Sequence, residues 1–184
     1  IPPGVYNIEA KAYEKDSAGV ITNQGSAKNI LKVNQVLKEI GLALSASSIT
    51  PEKEFKYTIT VYDQAKGKVE SDVTITLTQP EGVEFKKEIL RTGKSNSLEI
   101  KSNYSPGYWK IKAKLNDLET EESFLVEEYQ KLAYSLSDNT LAIKNIGNVE
   151  FNGPVEVGIG EAKKIIELDK LQVGGEEKFE LKAP

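Results

Sequence analysis

Two acidic runs and one aromatic turn hold the residues of this chain best suited to chemistry. Glu119, Glu121 and Glu122 crowd into "ETEESF", and Glu127 and Glu128 follow in "VEE". Two facing carboxylates in a cleft are what glycoside hydrolysis requires. Several converging carboxylates at a domain junction would instead hold calcium. The turn "NYSPGYWK" (103–110) carries the one tryptophan, Trp109, with Tyr104 and Tyr108 beside Pro106 and Gly107. Exposed rings at such a turn can grip sugars or a partner protein. Asn103–Ser105 is the one Asn-x-Ser/Thr sequon, so Asn103 is the candidate N-glycosylation acceptor if the chain is exported.

Other chemistry is limited by composition. The 184 residues include no Cys, His or Met. Thiol and Ser-His nucleophile systems are therefore out of reach. So are the imidazole and thiolate ligands that zinc, copper and iron sites prefer. The net charge of −4 speaks against a nucleic-acid surface, as does the mixing of acidic and basic residues along the chain. No Gly-rich phosphate loop occurs, and no run approaches the roughly 20 apolar residues of a membrane-spanning helix. The expectation is a non-enzymatic chain with no cofactor, no metal and no membrane span.

The elements that would position these residues read as strands. In "FKYTITVY", Phe55, Tyr57, Ile59 and Val61 alternate with Lys56, Thr58, Thr60 and Tyr62. A strand sends successive side chains to opposite faces, so the first four share one face. "DVTITLT", "SLEIK", "GPVEVGIG" and "EKFELK" repeat the pattern, separated by turn segments such as "DQAKGK", "QPEG", "NIGN" and "VGGEE". Gly67 is expected to supply a positive φ in the first of these turns. In "LKVNQVLKEIGLALS", several apolar residues also fit a helical face, but Gly41 argues for strand, linker, strand. Many short strands with regular turns predict a β-sandwich.

An internal repeat sets the organisation and weighs on the aromatic turn. "PPGVYNIEAKAY" aligns with "SPGYWKIKAKLN", so Tyr6, Ile8, Ala10 and Ala12 match Trp109, Ile111, Ala113 and Leu115. The shared face is apolar in both copies, while the opposite face changes freely. Trp109 is therefore expected in a core, with Tyr104 and Tyr108 as the exposed aromatics available to a ligand. Three units follow: residues 1–33 as the C-terminal hairpin of a truncated unit, 34–128 as a complete sandwich, and 129–184 as a third unit lacking its last strands. The acidic runs then fall on a strand edge and a linker, where a solvated charge run is the expected state.

The middle unit, with "YTITVYDQAKGKVESDVTITL" and "SPGYWKIKAKL", resembles bacterial and archaeal immunoglobulin-like surface repeats of the invasin and macroglobulin type. The last unit, "NTLAIKNIGNVEFNGPVEVGIG", is similar to adhesion-type modules of archaeal envelope proteins, with Asn145, Gly147 and Asn148 as the implied inter-strand turn. The resemblance implies an all-β chain of tandem immunoglobulin-like sandwiches with incomplete terminal units. It also implies an extracellular or cell-surface location and a spacer role in an envelope, surface layer or appendage rod. The implied partners are neighbouring immunoglobulin-like domains of the same or an adjacent chain. Adhesion or glycan binding, with glycans or surface proteins as partners, is the alternative. Macroglobulin-type proteins that trap proteases through a thioester need a Cys, which is absent here. The repeat is cut in register, since "LKAP" stands close to where "IPPG" and "YSPG" stand in the other copies. The expected reason is that this chain is a window on a longer protein; the alternative is a filament subunit that exchanges strands with its neighbours.

Overall fold

The computed structural model describes residues 1–181. The closing residues 182–184, and with them most of the "LKAP" comparison, lie outside the described residues. The chain is all-β and divides into a hairpin and two sandwich-like units. No helix among the described residues is long and apolar enough to cross a membrane.

β1 (Gly4–Lys15) and β2 (Ile21–Val33) form the antiparallel hairpin. Its turn closes where Asp16 Oδ1 accepts the N–H groups of Ala18 and Val20, both at 2.9 Å. A three-residue linker leads to the second unit, whose first strand runs from Leu37 as β3 (Leu37–Leu44). There follow β4 (Ser48–Ile49), β5 (Glu54–Asp63), β6 (Lys68–Val69), β7 (Asp72–Thr78), β8 (Glu84–Arg91), β9 (Ser95–Glu99), β10 (Gly107–Leu115) and β11 (Leu118–Val126). One sheet has the order β4-β11-β10-β7-β8; in the other, β5 has β3 on one side and both β9 and β6 on the opposite side, along its first and second halves. The short β4 runs parallel to β11, so the segment after β3 crosses to the second sheet and ties the two together.

The alternation read in β5 is the core of this unit. Phe55, Ile59 and Val61 are fully buried, and so are Val73 and Ile75 of β7, Trp109, Ile111 and Ala113 of β10, and Phe124 and Val126 of β11. Burial of alternate apolar side chains from two facing sheets is the driving force for this architecture. Leu37, Leu42 and Leu44 pack against the same core, and Gly41 lets the Tyr62 ring lie close to the backbone.

The β5–β6 turn corrects one expectation. The left-handed residue is Lys66, with φ 63°, and Gly67 lies outside the positive-φ region. Gly67 matters for space. A Cβ there would stand 3.1 Å from an oxygen of the Asp63 carboxylate, which accepts the Gly67 and Ala65 N–H groups at 2.9 Å. The demand for glycine comes from the buried Asp63 folding back over the turn rather than from the backbone dihedral.

The third unit contains β12 (Leu132–Ser137), β13 (Thr140–Asn145), β14 (Phe151–Ile159), β15 (Ala162–Leu171) and β16 (Glu176–Glu180). The sheet β12-β13-β16 faces the ribbon β14-β15 across a small core of Leu141, Ile143, Ile166, Leu168 and Leu171.

The sequence repeat is also a repeat of register. Gly4 pairs with Val33, Tyr6 with Leu31 and Ala10 with Ala27. At the matching places Gly107 pairs with Val126, Trp109 with Phe124 and Ala113 with Thr120. β1–β2 is thus the counterpart of β10–β11, with longer arms.

Candidate functional site: the linker locks

The most elaborated polar site lies where the second unit meets the third. β11 ends at Val126, and residues 127–131 form a linker of polar residues. Its first residue is fixed to the second unit. The Glu127 N–H donates to Ile49 O at 3.0 Å, and its carboxylate accepts the hydroxyls of Thr50 at 2.7 Å and Ser48 at 3.1 Å. Those two hydroxyls hold the Glu127 carboxyl below its usual range. Further along, Glu52 accepts hydrogen bonds from Lys131 Nζ and from the Tyr129 hydroxyl, the latter at 3.0 Å. The Lys131 bond first, then the Tyr129 bond, lower the Glu52 pKa. Glu52 itself adopts φ 67°, an uncommon backbone for a non-glycine residue, with its N–H bonded to Ile100 O at 2.6 Å.

The third unit grips the same linker through the loop after β13. Asn148 donates from Nδ2 to Glu127 O at 2.9 Å and accepts the Tyr129 N–H at 2.6 Å. Its own N–H donates to Tyr129 O at 2.9 Å. The N–H groups of Ile146 and Gly147 both reach Lys131 O, at 2.8 and 3.1 Å. Asn145, fully buried, shapes the loop from beneath. Its Oδ1 accepts the Gly147 N–H at 3.0 Å, and its Nδ2 donates to Val149 O and Leu171 O at 2.8 and 2.9 Å. Asn145, Gly147 and Asn148 do form the connection between β13 and β14, as the resemblance implied; their further role is to hold the linker. Gly147 has no alternative, because a Cβ there would lie 2.2 Å from Tyr129 O.

The first linker is held the same way. Gln64, just after β5, donates from Nε2 to Asn34 O at 2.9 Å and accepts the Val36 N–H on Oε1 at 2.8 Å. Its backbone N–H reaches Val36 O at 3.0 Å, and Gln35 Nε2 lies 3.3 Å from Asp63 Oδ2. In both units a buried Asp or Asn ends the central strand of the sheet, β5 or β13, and the loop after it pins the incoming linker. Sequence reasoning missed Glu52, Ser48, Thr50 and Gln64. A signal was present in the strand ends: "DQAKG" and "NIGN" each place a carboxyl or amide residue before a close glycine.

The residues singled out in the sequence divide differently. Trp109 is fully buried, and its indole N–H donates to Ser105 O at 2.8 Å. Tyr104 departs from its expected exposure. It is half-buried, stacked on Trp109 at 5.5 Å between ring centres and edge-on to Phe85 at 5.0 Å. Its ring extends the core because Phe85 of β8 arrives beside it. Tyr108 is 67% exposed, and Asn103 is exposed on the turn. Glu119 and Glu121 face Lys112 and Lys110 across the β10–β11 pair, at 2.9 and 3.1 Å. Such exposed cross-strand pairs contribute little stability. No three acidic groups converge on a metal-sized site among the described residues.

The carboxylates of the junction predict its response to acid. Glu52 and Glu127 have folded pKa values below the unfolded 4.5. Their contribution is complete above about pH 4.5 and is lost as pH falls through the depressed folded values. Acidification through that window is expected to loosen the third unit from the second while Trp109 emission still reports a folded core. Small-angle scattering at each pH reads the loosening directly. A scattering profile unchanged down to global unfolding contradicts the role given to these carboxylates.

No family model and no curated protein matches this chain. Among solved structures, it is similar to native α-2-macroglobulin of E. coli at 10% identity, over 97% of this chain and 16% of that one, with a TM-score of 0.46. It is similar to the surface layer protein SbsC, domains 1–6, at 13% identity, over 92% of this chain and 25% of that one, with a TM-score of 0.41. The amphioxus IgVJ-C2 molecule matches at 13% identity over 68% of this chain and 60% of that one, with a TM-score of 0.33. The chain thus spans about one sixth of the macroglobulin and one quarter of the surface layer fragment.

Proposed function

We propose that this chain is a non-catalytic spacer segment of an extracellular or cell-surface protein, such as an envelope, surface layer or appendage rod. The observation that carries this reading is the repeated linker lock. Short connections held at consecutive backbone positions restrict the hinge motion that is otherwise the default between domains. A spacer needs that restriction to keep its ends apart. The surface location rests on the resemblance of the strand motifs to surface repeats, with the third unit as an archaeal adhesion-type module.

A second reading, adhesion or glycan binding, is favoured by one feature, the exposed Tyr108 beside the exposed Asn103. A glycan array combined with small-angle scattering separates the two. The spacer reading expects no saturable glycan binding and a maximum dimension that stays constant on warming to just below the melting point. Saturable binding that is lost in Tyr108→Ala replaces it with the adhesion reading.

A further inference from the structure

The second unit is entered at one end and left at the other. Its incoming linker is pinned at Asp63 and Gln64, where β5 ends, and its outgoing linker at Glu52, just before β5 begins. The ten residues of β5 place these points about 30 Å apart. A pull along the chain therefore runs through the unit lengthwise. It arrives on β3, which runs antiparallel to β5 from Leu37 opposite Asp63 to Leu44 opposite Tyr57. It leaves on β11, whose last residue, Val126, precedes the outgoing linker.

Between these two strands stands β4. Residues 45–47 join it to β3, and it pairs parallel with the end of β11, Ser48 with Leu125 and Ile49 with Val126. The Leu125 N–H donates to Ser47 O at 2.9 Å, and the Glu127 N–H to Ile49 O at 3.0 Å. The Glu127 carboxylate accepts two more bonds from this segment, the Thr50 hydroxyl at 2.7 Å and the Ser48 hydroxyl at 3.1 Å. Glu127 is thus tied to three consecutive residues. Ser48 and Thr50 are alternate residues, so their hydroxyls reach one carboxylate from one face. Ile49 is nearly buried and Val126 fully so, which keeps water from the backbone bonds between them. The bonds of Glu52 to Tyr129 and Lys131 come next along the linker and pass a pull from the third unit into the same segment.

Direction decides what this patch does. A pull along the chain draws β4 back through β3 and draws β11 forward through the linker. Parallel strands drawn from opposite ends slide past each other. Their hydrogen bonds lie across the strands, so sliding loads all of them at once. A pull that opens a strand pair from one end loads them one at a time. We propose that the β4–β11 pairing, clipped by Glu127, is a load-bearing clamp that keeps the second unit folded under tension along the chain. This goes beyond the spacer reading, which asks only that the ends stay apart when no force acts.

Single-molecule force measurement on the 184-residue chain tests the clamp. The chain has no cysteine, so pairs of introduced cysteines define the direction of pull. Asn34→Cys with Glu128→Cys pulls along the chain, from exposed positions in the two linkers. Asn34→Cys with Asp117→Cys pulls across the unit, because the β10–β11 turn lies at the end of β11 away from the outgoing linker. The wild type is expected to unfold at a higher force along the chain than across it. Forced unfolding reads the barrier directly. Thr50→Val and Glu127→Gln are each expected to unfold about tenfold faster under a fixed pull along the chain, the factor for one weakened hydrogen bond to a charged group. Across the unit, neither is expected to change the rate, since that pull opens other bonds first. Unchanged Trp109 emission confirms that each variant is folded. Equal forces in the two directions, or variant rates unchanged along the chain, overturn the proposal. So does the same acceleration in both directions, which would mean that these bonds add only to overall stability. The scattering test of the spacer reading applies no force, so the two readings fail separately.

Discussion

Trp109→Ala is expected to destabilise the second unit by about 3–5 kcal/mol, the range for truncating a large buried aromatic side chain. The indole is fully buried, on a strand with β7 on one side and β11 on the other. Phe85 meets it edge-on at 5.1 Å, and Tyr104 and Phe124 stack on it at 5.5 and 6.4 Å. Three further rings therefore border the cavity, and none can fill it without leaving its own contacts. Ser105 O would also lose the indole N–H that it accepts. For a unit of this size each kcal/mol corresponds to about 4–8 °C in melting temperature, so the loss is easily resolved. Urea titration followed by circular dichroism measures it, since the fluorescent reporter is gone. Trp109→Phe, which keeps a ring and drops the N–H, is expected to cost less. A red-shifted, quencher-accessible emission in the native protein, or a loss below about 1 kcal/mol, would revive an exposed sugar platform at this position.

Gly147→Ala is expected to release the third unit from its linker, at a cost of about 3 kcal/mol, near the upper end for overpacking. The added Cβ would stand 2.2 Å from Tyr129 O, 2.8 Å from Lys131 N and 3.2 Å from the Gln130 Cα. All three are backbone atoms, and the linker is also held to the second unit, by Glu52 at Tyr129 and by Thr50 at Glu127. It cannot recede without breaking one set of hydrogen bonds or the other. The glycine does not have a positive φ, so the cost is steric. Gly158→Ala is the control, because a Cβ there meets nothing within 4 Å. Faster tryptic cleavage after Lys131 and an earlier melting step are expected in Gly147→Ala and not in Gly158→Ala. Identical cleavage rates in the two would show that the close approach does not hold the junction.

Much of this architecture is legible in the amino-acid sequence. Alternation is a local property, so β5 and β7 announced which of their residues face inward, and Phe55, Ile59, Val61 and Ile75 are indeed buried. The repeat around the Pro-Gly turns worked because both hairpins solve the same packing problem: the positions of Tyr6 and Trp109 are alike while their outer faces are not. What the linear order could not carry were contacts between residues far apart along it. Tyr104 became half-buried because Phe85 of β8 lies against it. Gly67 is required because Asp63 folds over the turn and occupies the space beside it, while the left-handed position falls on Lys66. The junction depended on Glu52 meeting Lys131, 79 residues later, and on Asn148 reaching back to Glu127. Composition and periodicity determined that this chain forms strands and which faces are apolar. Only the tertiary structure decided which turns hold the linkers, because a hydrogen bond between distant segments leaves no period in the sequence.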